Sequence, residues 1–99
     1  MKAIILLTRR EGDSPEDFRR WWLEEHAPVA RRLPGLRKLV FNLVQDDTRY
    51  DGVSELWFDS KEAFEVAYAS EIGQQVAADS LAHVGHRVPL VVAEHAQLG

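Results

Sequence analysis

The residue of this chain best suited to chemistry is a single histidine in an aromatic setting. His26 follows Trp21 and Trp22 and precedes Pro28 by two positions. An imidazole titrates near neutral pH, so a histidine beside a cavity can serve as a general acid or base. A histidine near a helix end can instead bond the free carbonyls there, and its protonated form gains up to ~2 kcal/mol from the helix dipole. The residues alone leave both interpretations open.

A second group of polar residues, Asp79, His83 and His86, invites a metal interpretation. Asp79 and His83 are four positions apart, the spacing that puts two ligands on one helix face. Histidines on the surface near a helix end are a more common reason for such a pattern. We therefore predict no metal site and no cofactor, and keep His83 as a candidate lining residue of a pocket.

Two further ionisable residues lie in predicted strands. Glu55 has apolar neighbours, and it either forms an ion pair with an arginine such as Arg9 or faces a cavity between two subunits; the ion pair is the default expectation. His95 alternates with Val91 and Ala93, which predicts a position at a sheet edge or an interface.

The helix that carries His26 has a clear start and an expected break. Ser14 is a good N-cap, and Pro15 suits the first helical position. Pro28 removes a backbone N–H, and a proline inside a helix costs ~3 kcal/mol. The sequence therefore predicts that this helix stops or kinks at 25–27, beside His26.

The remaining elements complete a βαββαβ order. Patterns of apolar residues predict strands over 3–8, 36–45, 53–58 and 90–96. Ser60 is predicted to cap a second helix and Ser70 a further helical segment that runs through Ala82, with Gly85 marking its end. This order is typical of a ferredoxin-like α+β sandwich with an antiparallel four-stranded sheet, and the length allows one domain, residues 1–99.

One face of such a sheet needs a cover. Right-handed crossovers put both helical regions on the same face of the sheet. The first strand is nevertheless apolar on both sides, and the second and last strands are nearly so. Each large apolar side chain left in water forfeits ~1.5–3 kcal/mol relative to burial. A second copy of the chain is the simplest cover, so we predict a homodimer.

Composition excludes several classes of partner and of site. A formal net charge of −4 argues against nucleic acid, and the longest apolar run is far too short to span a membrane. The absence of cysteine excludes thiolate chemistry and favours a cytoplasmic location. The chain also lacks a Gly-rich phosphate loop, a G-x-S-x-G elbow and an H-E-x-x-H motif.

Several motifs together resemble the EthD-like family. The helix carries W-x-x-x-H-A-P-x-A over 22–30, and residues 50–58 read Y-D-G-V-S-E-L-W-F, similar to the family's hairpin. Residues 69–74 read A-S-E-I-G-Q, with Ile72 where glutamate is usual, and the closing V-V-A-E-H is also similar. The chain departs from the pattern over 83–86, which read H-V-G-H where relatives carry an aromatic residue and then an aspartate.

The resemblance implies a dimeric α/β barrel with a pocket between the sheet and helices of each subunit. His26 would be its leading polar residue, and Trp22 and Trp57 its walls. In place of the aspartate that relatives carry, His83 or His86 could serve the pocket, and Tyr68 is a further candidate for holding the substrate. Relatives in the family look like dehydratases, decarboxylases or cyclases of polyketide-type aromatics, and the wider superfamily includes cofactor-free monooxygenases.

Two hypotheses follow. The first is a cofactor-independent enzyme, similar to a monooxygenase, cyclase or dehydratase, acting on a small hydrophobic, oxygenated or aromatic compound with His26 as acid or base. The alternative is a non-catalytic protein that binds such a molecule or supports a partner oxygenase.

Overall fold

The computed structural model describes residues 1–99 and contains one antiparallel sheet with helices on one side. The sheet order is β2-β3-β1-β4, and every neighbouring pair is antiparallel. The predicted ferredoxin-like α+β fold is confirmed. The elements are β1 (Lys2–Arg9), α1 (Pro15–Arg20), a π-helical segment (Trp21–His26), α2 (Ala27–Ala30), β2 (Lys38–Leu43), β3 (Gly52–Trp57), α3 (Lys61–Ala69), α4 (Glu71–His83) and β4 (Val84–Val92).

The first helix begins as predicted. The Ser14 hydroxyl accepts a hydrogen bond from the Asp17 backbone N–H, and the Asp17 carboxylate accepts one from the Ser14 N–H. This reciprocal capping box satisfies two backbone donors that a helix start otherwise leaves free. The box therefore fixes the residue at which the helix begins.

The predicted break near His26 is wrong in form. The chain stays helical to Ala30, but residues 21–26 widen into a π-helical segment. The Ala27 N–H bonds the carbonyl of Trp22, five positions back, and Pro28 occupies the first turn of α2, where its missing N–H costs little. The proline is thus accommodated by a change of helical register, and His26 remains within a continuous helical path.

The last strand begins earlier than predicted. Helix α4 ends at His83, and β4 runs directly from Val84 to Val92, so Gly85 and His86 belong to the strand and His95 lies beyond it. Pro89 sits in the middle of β4, which an edge strand tolerates because only one side of it pairs in the sheet.

The core lies between the sheet and the helices. Ala3, Ile5 and Leu7 of β1 alternate towards this side and are buried with Trp22 of the helical segment. Both capped helices form as predicted, because Ser60 and Ser70 accept hydrogen bonds from Ala63 N–H and Gly73 N–H. No helix is long and apolar enough to span a membrane.

The opposite face of the sheet carries no helix. By strand alternation and register, its apolar members are Ile4, Leu6, Val40, Val53, Trp57, Val88, Leu90 and Val92. We call this set the outer face.

Glu55 also lies on the outer face, where it forms the expected ion pair, but with a lysine instead of an arginine such as Arg9. It pairs with Lys2 at 2.9 Å and accepts a hydrogen bond from the Asn42 amide, whereas Arg9 pairs with Asp51 at 2.7 Å. The reason is register: Glu55 and Lys2 share a face of adjacent strands, while Arg9 lies at the far end of β1, near the turn that carries Asp51.

Candidate functional site

His26 lies at the end of the π-helical segment, where the helical path crosses α4. The residue is 5% exposed, and both ring nitrogens contact side chains of α4. Nδ1 is 2.8 Å from Asp79 Oδ2, and Nε2 is 3.3 Å from the Ser80 hydroxyl oxygen. The ring is therefore bonded to side chains on both sides, and it is not a cap for backbone carbonyls.

These partners define the tautomer of the neutral ring. A carboxylate only accepts hydrogen bonds, so Nδ1 carries the proton that it donates to Asp79. Nε2 is then unprotonated and accepts from the Ser80 hydroxyl. Burial lowers the pKa of His26 below its ordinary value of 6.5, although the hydrogen bond to Asp79 opposes the shift. The result is an imidazole that is neutral at pH 7 and ready to accept a proton.

A narrow cavity between the sheet and the helices is lined by both His26 and Ser80, the hydrogen-bond partner of Nε2. The space between its lining atoms totals about 300 Å³ when the part open to solvent is included. Only about 20 Å³ of that space is wide enough to hold the centre of a water molecule. That is room for about one water molecule. The cavity is lined by Ile5, Leu7, Trp22, His26, Ala30, Leu39, Phe41, Ser54, Leu56, Tyr68, Val76, Ser80 and Arg87.

Tyr68 and Arg87 supply the other polar groups of the lining. Burial raises the pKa of the Tyr68 phenol above its ordinary value of 10.0, so the phenol is neutral, although the nearby Arg87 opposes the shift. The Arg87 guanidinium lies 5.9 Å from the centre of the Tyr68 ring. Register with Leu7 points Arg87 to the helix side of the sheet. The cavity thus combines a neutral base, a neutral phenol and one permanent cation.

Three of the predicted site residues come together and two do not line the cavity. His26, Trp22 and Tyr68 line it, and Trp22 stacks on Phe41 with ring centres 4.3 Å apart. His83 stacks instead on Trp21, at 4.9 Å, behind the His26 ring.

Trp57 lies on the outer face and is not among the residues that line this cavity. Leu56, the preceding residue of β3, points into the core, and side chains along a strand alternate between faces. The Nζ atoms of Lys2 and Lys38 lie 4.8 and 4.7 Å from the centre of the Trp57 ring.

Asp79 and His83 contact each other, as their helical spacing requires, with Asp79 Oδ1 3.2 Å from His83 Nδ1. The same histidine nitrogen also donates to the Asp79 backbone carbonyl at 2.9 Å. No three His, Asp or Glu side chains are arranged to hold a metal ion. Asp79 instead accepts a hydrogen bond from His26, a contact that the metal interpretation did not anticipate.

The cavity adjoins a surface groove at the sheet edge. Leu39 and Phe41 of β2 line the cavity on one side and the groove on the other, where Leu23, Ala27 and Arg31 complete it. β2 is an edge strand, and both residues are only partly buried. They are the wall through which a molecule from solvent would reach His26.

Ser80, His26 and Asp79 form a hydrogen-bonded series in the order found in nucleophilic triads. Nucleophilic attack also needs donors for the developing oxyanion, often backbone N–H groups. Ser80 lies well inside α4, where the N–H groups bond within the helix. The series is therefore better suited to moving a proton at Nε2 than to covalent catalysis by Ser80.

Sequence reasoning missed Asp79, Ser80 and Arg87 as members of the site around His26. Asp79 and Ser80 are adjacent on α4, more than 50 residues from His26, and only helix packing joins them. A usable signal was an acidic and a hydroxyl residue side by side within a helix. Arg87 lay outside the predicted last strand, so its alternation could not be assigned.

The sequence and the fold of the chain both resemble those of known proteins. A sequence profile described as the EthD domain matches residues 10–84. The comparison with curated protein sequences gave no match.

Solved structures of several proteins share the fold. An ethyl tert-butyl ether D (EthD) family protein from Bacillus halodurans is 21% identical with a TM-score of 0.85, and the match covers 95% of this chain and 97% of that chain. SnoaB, a cofactor-independent oxygenase from Streptomyces nogalater, is 16% identical with a TM-score of 0.67 over 98% and 96% of the two chains. A dimeric ferredoxin-like protein from Thermobifida fusca is 14% identical with a TM-score of 0.72 over 90% and 85%.

Proposed function

The chain belongs to the EthD family, and from this premise we propose that it is a small-molecule enzyme in which His26 acts as a general base without a metal or organic cofactor. The observation that carries the proposal is the unprotonated Nε2 of a buried, neutral histidine beside the cavity. Similarity in fold to a cofactor-independent oxygenase supports it.

Asp79 and Ser80 have separate roles in this mechanism. Asp79 holds the Nδ1–H tautomer and stabilises the imidazolium that forms when Nε2 takes a proton. Ser80 bonds Nε2 in the resting state, and rotation of its hydroxyl frees the nitrogen for a substrate proton. Both are positioning residues, since they act through His26.

The substrate is a small compound with an apolar body that carries a weakly acidic C–H or O–H. Most of the lining is apolar, and water-poor surroundings strengthen each electrostatic interaction with a bound molecule. Removal of a proton is the step that dehydration, cyclisation and cofactor-free oxygenation of oxygenated aromatics have in common. Because the cavity now holds about one water molecule, such a substrate enters by displacing Leu39 and Phe41 from the groove side.

A second candidate function is non-catalytic binding of a small molecule, and the narrowness of the cavity is the observation that favours it. In a binding protein, the hydrogen bonds of His26 would serve only to satisfy a buried polar ring. The two functions differ in whether Nε2 accepts a proton from the bound molecule.

We also propose that the active form is a homodimer joined through the outer face. The face exposes an apolar strip that no element of the chain covers, and Leu90 is 43% exposed. A second copy would bury it across a two-fold interface. The dimeric relative from Thermobifida fusca supports this assembly.

Ring opening of nitrobenzisoxazole tests the proposed base without knowledge of the natural substrate. A base removes the ring C–H proton, the N–O bond breaks, and a coloured cyano-nitrophenolate is released. We expect the wild type to exceed His26→Gln by about 100-fold, the contribution typical of a positioned general base. His86→Gln replaces an exposed histidine on β4 and should keep the wild-type rate. Equal rates for wild type and His26→Gln would refute the catalytic role.

A further inference from the structure

Arg87 is a half-buried cation whose Nε–H has no acceptor in the fold. Its Nε atom is inaccessible to water and has no hydrogen-bond acceptor. Arg87 takes part in none of the ion pairs of the chain, although Arg9, Arg10, Arg19, Arg20 and Arg37 all do. Buried donors in native proteins are almost always satisfied, so this one calls for an explanation.

The rest of the cavity lining supplies no anionic partner for Arg87, and its polar neighbour there, Tyr68, is a neutral phenol. None of its thirteen residues is acidic, and Arg87 is the only one with a permanent charge. Asp79, the nearest acid on α4, is already engaged by both His26 and His83. The cavity therefore presents a positive charge that has no ion-pair partner among mainly apolar walls, and a counter-ion bound there would also give Nε an acceptor.

The one other buried donor without a partner does not point to the same ligand. Trp21 Nε1 is also unsatisfied, but Trp21 stacks between His26 and His83 and does not line the cavity. Arg87 differs because it borders open space, in which an acceptor from outside the chain can be placed.

We propose that Arg87 is the anion-binding residue of the cavity and that the natural ligand is a small carboxylic acid with an apolar body. A guanidinium offers parallel N–H donors that match the two oxygens of a carboxylate, and these charge-assisted bonds are stronger than neutral ones. The apolar part of the acid would contact Ile5, Leu7 and Leu56, while the neutral phenol of Tyr68 lies beside the guanidinium as a further donor. This inference rests on the proposed function for its site, since it names the substrate class of the His26 cavity.

Isobutyrate and its uncharged isostere isobutyramide are the probes that test the charge. Binding is followed by NMR of ¹⁵N-labelled protein, in which the Arg87 Nε–H gives its own resonance. We expect isobutyrate to shift that resonance and to bind about tenfold more tightly than isobutyramide, a difference of ~1.4 kcal/mol. Equal affinity of the two probes would overturn the proposal.

Three variants assign the effect to Arg87. Arg87→Met should weaken isobutyrate binding about tenfold and leave isobutyramide unchanged. Arg32→Met removes the same charge from an exposed arginine that has no ion pair and lines neither the cavity nor the groove, and it should bind as the wild type does. Since Arg87→Met alters a half-buried site, Arg87→Lys is measured alongside it, with intermediate affinity expected because charge is kept without the planar fork. Wild-type affinity in Arg87→Met would overturn the proposal.

A fourth variant separates this inference from the catalytic one. His26→Gln should retain isobutyrate binding, because the anion contacts Arg87. Nitrobenzisoxazole is uncharged and needs a base for ring opening, so the ratio of the wild-type rate to the His26→Gln rate tests the base. If isobutyrate binds no more tightly than isobutyramide, a carboxylic acid is not the ligand class. If His26→Gln opens the ring as fast as the wild type, His26 is not the base.

Discussion

The Nδ1 atom of His26 and the Oδ2 atom of Asp79 lie 2.8 Å apart, across 53 positions of sequence. This contact joins the π-helical segment to α4 and fixes which imidazole nitrogen is free to accept a proton. It is the relationship on which the proposed chemistry depends.

Replacing Asp79 should change the basicity of His26. In Asp79→Asn the carboxylate charge that favours the imidazolium is gone, so we expect the pKa of His26 to fall below the wild-type value. The ring-opening rate should fall at least about tenfold as the imidazolium loses its support. NMR titration of the His26 ring measures the pKa. Asp59→Asn, at an exposed ion pair with Arg37, is the control, and an unchanged His26 pKa in Asp79→Asn would contradict the assignment.

Stability should depend on pH through His26. Because burial lowers the pKa of His26 in the folded chain, the unfolded chain binds a proton below pH 6.5 that the folded chain does not. The free energy of unfolding should therefore decrease as the pH falls from 6.5 towards the folded pKa. Denaturant unfolding at several pH values should show a shallower dependence for His26→Gln and the wild-type dependence for His86→Gln. Parallel curves for wild type and His26→Gln would argue against a buried neutral imidazole.

Opening the Phe41 wall should improve access to the cavity. Phe41→Ala removes the ring that stacks on Trp22 and separates the cavity from the groove. We expect a loss of about 2 kcal/mol in the free energy of unfolding, less than for a fully buried Phe because Phe41 is partly exposed. Ring opening of nitrobenzisoxazole should become faster at subsaturating concentration. Phe64→Ala, at a ring outside the cavity, should give no such gain, and slower turnover in Phe41→Ala would contradict this route of entry.

The outer face should control association. A charge placed in its apolar strip by Leu90→Glu must be buried if the dimer forms, so we expect a monomer at micromolar concentration by sedimentation. Leu81→Glu changes a leucine of α4 that is 70% exposed and lies away from the outer face, and it should remain dimeric. A monomeric wild type would refute the dimer.

The fold was predictable because its signals are local and agree with one another. Capping serines at 14, 60 and 70, and the apolar pattern of β1, are read directly from the sequence and all appear in the structure. The end of α4 was misjudged because the chain passes from His83 into β4 with no connecting turn. A glycine next to a helix end then looked like a terminator, although it belongs to the strand.

The site was predictable only in part. His26, Trp22 and Tyr68 carry local signals, and the structure brings them together around one cavity. Which face of the sheet Trp57 occupies depends on how side chains alternate along β3. Large apolar residues lie on both faces of this strand, so the sequence pattern does not reveal the face. Asp79 could not be matched to His26 because their contact depends on how two distant helices pack.

The protonation of the His26 ring is the most direct test of the account. Long-range ¹H–¹⁵N NMR of the imidazole at neutral pH distinguishes a protonated from an unprotonated nitrogen. We predict a protonated Nδ1 bonded to Asp79 and an unprotonated Nε2 beside the cavity. A proton on Nε2, in either the other neutral tautomer or a stable imidazolium, would contradict the role of His26 as the base.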